Sequence, residues 1–214
     1  QIKDLISLIR TVKGSPQLFV LDSITKAGLI SADINLMFDL DGEIKNNYQI
    51  NGAVKKAKFN IFNQVEIENL NLSFNISKNK LTLRKIETEL NSIKLESPFI
   101  KIEEKKNIFF IDGKVINDQQ NFDINKLKPI LGDLLSTIKT EKINFNSINT
   151  FTFNINKKLK LNDLKLETNL NLKNFNTVKN PLNLKAFLPN YTEQVKFEDH
   201  KIKIKLTKNI LDIK

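Results

Sequence analysis

The stretch "LKLNDLKL" (159–166) decides how this chain is read. Leu159 and Leu161 share one parity and Leu164 and Leu166 the other, and Asn162–Asp163 put two polar residues where strict alternation needs one. A strand alternates faces with a period of two, so one extra residue turns every later side chain over unless the backbone compensates. A β-bulge does this: two residues oppose one, and the following side chains return to their original face. The pattern apolar-x-apolar-x-x-apolar-x-apolar recurs in "VEIENLNL" (65–72) and, with Thr88 as a weaker last member, in "LTLRKIET" (81–88). Each segment is expected to be one long strand bulged near its middle, with a continuous apolar face. Bulges repeated at one height would curve the sheet into a trough. The alternative is two shorter strands meeting at a tight corner.

Outward from these segments the period of two dominates. "DINLMFDL" (33–40), "IKNNYQING" (44–52), "AKFNIF" (57–62), "IKLESPFIKI" (93–102), "NIFFIDGKVI" (107–116) and "KINFNSINTFTFNI" (142–155) read as strands. So do "NLKAFL" (183–188), "EQVKFED" (193–199) and "HKIKIKL" (200–206), and "DGE" (41–43) reads as a hairpin turn. Short connections force antiparallel neighbours, because a parallel pair needs a crossover.

The period changes to 3.6 in two places. "IKDLISLIRTV" spaces Ile2, Leu5, Ile6, Ile9 and Val12 as a helix. "SPQLFVLDSITKAG" restarts one, with Ser15 as N-cap, Pro16 in the first turn and Gly28 just past the end. "FDINKLKPILGDLLSTI" (122–138) puts Ile124, Leu127, Leu131, Leu134, Leu135 and Ile138 on one face, which predicts an interrupting helix near 123–138 despite Gly132.

The 214 residues are 40% hydrophobic and 27% charged, with mean hydropathy −0.29, the profile of a folded chain. No apolar run approaches a membrane span, and no signal-peptide pattern opens the sequence. The chain starts at Gln1 and ends at Lys214 within an alternating run, so it is read as a fragment of a longer protein. With no Cys, disulfide scaffolds and thiolate metal sites are excluded. The net charge of +10 comes from lysines scattered along polar strand faces, with no nucleic-acid-binding motif beside them, so no nucleic-acid partner is expected. The lone His200 reads as a turn residue before a strand, and no nucleophile elbow, phosphate loop or dinucleotide fingerprint is present. No catalytic residue, cofactor or metal is expected. An outer-membrane barrel would want aromatic girdles, and this chain has no Trp and two Tyr.

The slipped strands, together with "DLDGEIKNNYQINGAV" (39–54) and "FFIDGKV" (109–115) carrying Gly42, Gly52 and Gly113, resemble the AsmA-like superfamily of Gram-negative envelope proteins (the AsmA, TamB and YhdP type) over about residues 15–214. The resemblance implies a mainly β fold: a long curved antiparallel sheet, or repeating β-groove, at 29–214, interrupted by the helix near 123–138 and preceded by a helical segment at 1–28. It implies a non-enzymatic role, with the groove carrying phospholipid acyl chains between inner and outer membrane. It further implies a periplasmic setting anchored in the inner membrane through a segment outside this chain, and flanking repeats of the same longer chain as partners. The groove lining would be Ile34, Leu36, Phe38, Leu40, Leu70, Leu72, Phe74, Ile76, Phe151, Phe153, Ile155, Leu170 and Leu172. The competing expectation is a closed β-sandwich, a structural or adhesion module with no lipid ligand.

Overall fold

The computed structural model describes residues 1–12, 16–43, 45, 47–61, 65–127, 142–156, 158, 160–173, 175–177, 195–197, 199–207 and 210–214. Two helices, α1 (Ile2–Val12) and α2 (Pro16–Ile24), precede the strands β1 (Thr25–Asn35), β2 (Gln49–Ile61), β3 (Val65–Ser77), β4 (Lys80–Leu90), β5 (Ile93–Lys105) and β6 (Ile108–Asp123). A single 3-10 turn, Ile124–Leu127, follows β6. Then come β7 (Lys142–Asn156), β8 (Leu161–Lys173), β9 (Phe175–Thr177), β10 (Val195–Phe197), β11 (His200–Thr207) and β12 (Ile210–Ile213). The rest of the predicted helix near 123–138 and the predicted strand 183–188 lie outside the described residues.

Ten strands form one antiparallel meander in the order β1-β2-β3-β4-β5-β6-β7-β8-β11-β12, and β9 and β10 form a separate two-stranded ribbon. The three slips behave as bulges. In each, the second of the two polar residues takes a left-handed backbone: Asn69 (φ 52°), Lys85 (φ 50°) and Asp163 (φ 51°). A fourth, at Lys56 (φ 50°), sits in "VKKA" (54–57). Beyond each bulge the apolar side chains return to their face. Leu70 pairs with Ala57, Leu166 with Phe151 and Ile86 with Ser97, all on one side of the sheet.

The expected curvature is wrong. The sheet is flat and open, neither a trough nor a closed sandwich. The register explains it. Between β2 and β3 the bulge at Lys56 shifts the ladder by one residue and that at Asn69 shifts it back: Val54↔Leu72, Ala57↔Leu70, Phe59↔Ile67. Asn69 and Lys85 cancel in the same way between β3 and β4. Between β4 and β5, Lys85 and Pro98 leave the ladder together, and Arg84↔Phe99 and Ile86↔Ser97 stay in step. The shift between β5 and β6 lies at Pro98, opposite Lys114–Ile116, in line with these, whereas the bulge of β6 lies opposite Phe145–Ser147 and that of β8 opposite Thr152–Asn154, at other heights. Curling the whole sheet needs bulges repeated at one height in strand after strand; these line up over β2–β5 only, and those of β6 and β8 lie elsewhere.

One face is apolar on every strand. Among the described residues its cover is partial. Ile2 and Ile6 of α1 are buried on Ala57 of β2, against Ile30, Val54, Phe59 and Leu70. Burying two isoleucines contributes roughly 1.5–3 kcal/mol each. Ile124 of the 3-10 turn is buried on Ile93 and Ile143, against Leu95, Phe145 and Leu172. Gly28 sits inside β1 (φ 138°), not past the end of α2, and a Cβ there would lie 2.6 Å from Ile2 Cδ1 and 2.8 Å from Ala57 Cα. The close seat of α1 on the sheet depends on it.

Candidate functional site

Ten of the thirteen residues expected to line a groove share the apolar face. Ile34 pairs with Ile50, Leu70 with Ala57, Leu72 with Val54, Phe74 with Gly52 and Ile76 with Ile50. Phe151 pairs with Gly113, Phe153 with Ile111, Ile155 with Phe109, Leu170 with Ser147 and Leu172 with Phe145. They line no groove, because the sheet that carries them is flat. Leu36, Phe38 and Leu40 are not on the sheet at all. β1 ends at Asn35, and the Asp39 carboxylate accepts hydrogen bonds from the backbone N–H of Asp41 (3.0 Å) and Glu43 (2.8 Å). That side-chain turn draws the chain away from strand geometry and leaves all three side chains exposed.

The face is only thinly covered. Among the described residues eight hydrophobic side chains are buried, and nineteen large ones are exposed. The 24.7 kDa chain presents 15,044 Å² of accessible surface, against about 10,000 Å² for a compact globule of that mass.

A polar seam crosses the apolar face, and periodicity alone did not single it out. Ser97, Asn117 and Ser147 are buried in it, and Asn149 and Thr168 extend it across β7 and β8. Thr168 Oγ1 donates to Asn149 Oδ1 (2.9 Å), Asn149 Nδ2 donates to Ser147 Oγ (3.0 Å), and Ser97 Oγ donates to the Phe99 carbonyl (3.0 Å). Below the seam lie Leu95, Phe145 and Leu172; above it lie Ile100, Ile111, Phe151 and Leu166. The signal was present in the in-phase polar residues of "FNSINTF" (145–151), where Ser147 and Asn149 occupy apolar parity.

The opposite face is a charged ladder. Lys58 of β2 and Glu68 of β3 form an ion pair that raises the Lys58 pKa above its usual 10.5, chiefly through the hydrogen bond and then the carboxylate charge. Lys203 of β11 bonds Glu167 of β8 at 2.7 Å and lowers the Glu167 pKa below its usual 4.5 in the same way. A shallow cleft of about 660 Å³ on this face is lined by Lys80, Lys101 and Lys165 and by Glu103, Asp112 and Asp163. Three positive and three negative groups give it no preference for an anion or a cation. Among the described residues no three metal-ligating side chains come together, and no helix is long and apolar enough to cross a membrane.

The chain matches no protein-family model, no curated protein and no solved structure. The flat sheet contradicts the curved groove on which the resemblance to the AsmA-like superfamily rests.

Proposed function

We propose that this chain is a non-enzymatic β-scaffold whose apolar face binds a second protein layer. The observation that carries the reading is the face itself: apolar on each of the ten strands and, among the described residues, covered by α1 at one corner and by Ile124 at one end. An apolar sheet face is stable when another layer packs on it, about 10 Å away. A flat face suits a sheet or a pair of helices, whereas an acyl chain needs concave walls to enclose it. Carriage of phospholipid along a groove is accordingly replaced by protein–protein packing. The seam of Asn117, Ser147 and Asn149 then sets what the covering layer must present: apolar side chains on both sides and a hydrogen-bonding group between. Further strands of a longer chain are one source of such a layer. The periplasmic, membrane-anchored placement was implied by the resemblance alone.

The test is uptake of the dye bis-ANS by the folded protein, followed through a thermal melt. Bright binding below the melting transition is expected, weakened by Phe153→Asp and Leu166→Asp in protein that still melts cooperatively. A folded chain that leaves the dye dark has its apolar face already covered and overturns the reading.

A further inference from the structure

The sheet's first edge differs from its last. β12 is four residues long and contains Asp212. β1 is eleven residues long, has no proline, and carries charge only at Lys26 and Asp33. Its one ladder among the described residues is with β2, so no described strand pairs with its outer row of backbone N–H and C=O groups. Proteins ordinarily guard such an edge with lysine, proline, brevity or a bulge; β1 has the single Lys26 and an irregularity near Gly28, and its run from Leu29 to Asn35 has none of these.

Exposed apolar side chains are frequent in the same part of the chain. Of the nineteen exposed large hydrophobics, twelve fall within the first forty residues. A cleft of about 430 Å³ lies between α1 and this edge strand, lined by Leu5, Leu8, Ile30, Ala32 and Ile34 with Asp4 and Gln1 at its rim. Leu8 is 63% exposed, Ile34 62% and Leu40 106%.

We infer that β1 pairs antiparallel with β1 of a second copy of this chain, across a twofold axis normal to the sheet; the inference deepens the scaffold reading and rests on it. Three features of β1 favour a copy of itself over an unrelated strand. An antiparallel pair centred on Ile30 places equal numbers of residues on each side, and the twofold keeps Ile30, Ala32 and Ile34 of both copies on the apolar face. The same register sets Asp33 of one copy opposite Ala27 of the other, one position along from Lys26, at both ends of the pair, where a parallel register would set Asp33 against Asp33 and Lys26 against Lys26. It also brings the two α1 clefts to the axis, so that the exposed Leu5 and Leu8 cover each other. The contact is isologous, which closes the assembly at two copies.

The experiment is light scattering with size exclusion on the whole chain at micromolar concentration. The expected mass is twice 24.7 kDa. Leu29→Lys with Ile34→Lys, both at exposed positions, should weaken the dimer at least about tenfold without changing the melting temperature of the monomer. Lys26→Asp should weaken it too, and adding Asp33→Lys should restore it. A well-folded wild-type monomer overturns the inference, as does a dimer indifferent to both sets of variants. Bis-ANS read on the same samples separates the two proposals. The edge dimer leaves the face open, so dye binding by a monomer sinks only the dimer, and a dark folded protein sinks the scaffold reading.

Discussion

At the scale of single residues, the bulges rest on a backbone conformation that costs a side chain energy. A non-glycine residue in the left-handed region is disfavoured by about 1–2 kcal/mol, least for Asn and Asp. Asn69 and Asp163 fit that preference, and Asp163 also accepts a hydrogen bond from Asn154 Nδ2 (2.8 Å). Lys85 is exposed and takes the same φ with none of this help. Lys85→Gly should therefore stabilise the protein by up to about 1 kcal/mol, and Lys85→Val should destabilise it by a similar amount; urea unfolding measures both. The position of each bulge was legible from two adjacent polar residues between apolar alternations. The one at Lys56 was not, because its flanks, Gly52 and Ala57, are too small to register as apolar positions. The ladder of charges was equally hard to read, since it depends on which strands are neighbours. Glu167, held below its usual pKa by Lys203, contributes stability that is fully present above the unfolded value near 4.5 and is lost as pH falls through the lower folded value. The variant Glu167→Gln should melt slightly lower than wild type at neutral pH, and the gap should close in acid below that value.

At the scale of elements, the strands of the sheet were legible and their ends were not. Alternation carried "DINLMFDL" through to Leu40, but Asp39 spends its carboxylate on a turn and the strand stops five residues earlier, at Asn35. Conversely, β2 runs unbroken from Gln49 to Ile61 where sequence suggested two strands, because Gly52 and Ala53 continue the ladder without apolar bulk. Gly52 and Gly113 were noticed only as punctuation. Each lies opposite a phenylalanine, Phe74 and Phe151, whose ring fills the space a side chain would take. A Cβ on Gly52 would lie 2.4 Å from the Phe74 ring and 2.4 Å from the Ser31 carbonyl oxygen of β1, whereas one on Gly113 would meet the Phe151 ring at 2.6 Å and Ile100 at 3.1 Å. Rings and methylenes can shift, and a paired backbone carbonyl cannot. Both alanine variants should cost about 1–3 kcal/mol, with Gly52→Ala the worse, and amide exchange in β1 should rise selectively in that variant.

At the scale of the whole molecule, the two-faced sheet could be read and its shape could not. A bulge is local, but curvature is a sum over neighbours, and the displacement of the bulges in β6 and β8 from the line of those in β2–β5 appears only once strands are paired. The expected trough, and the resemblance that rests on it, fail on that sum. The meander has a further consequence, for the order in which the molecule is assembled. From β1 to β8 every strand finds its partner in the next strand along the chain. Ladders of that kind close short loops first and grow by zipping, without waiting for distant segments to meet. The exception is β8 with β11, whose ladder starts at Leu172↔His200 and encloses the β9–β10 ribbon. Joining them has the largest loop-closure cost in the sheet, so β11 and β12 should dock last and come away first. The near end of the sheet, with its bare edge, would be complete while the far end was still emerging from the ribosome.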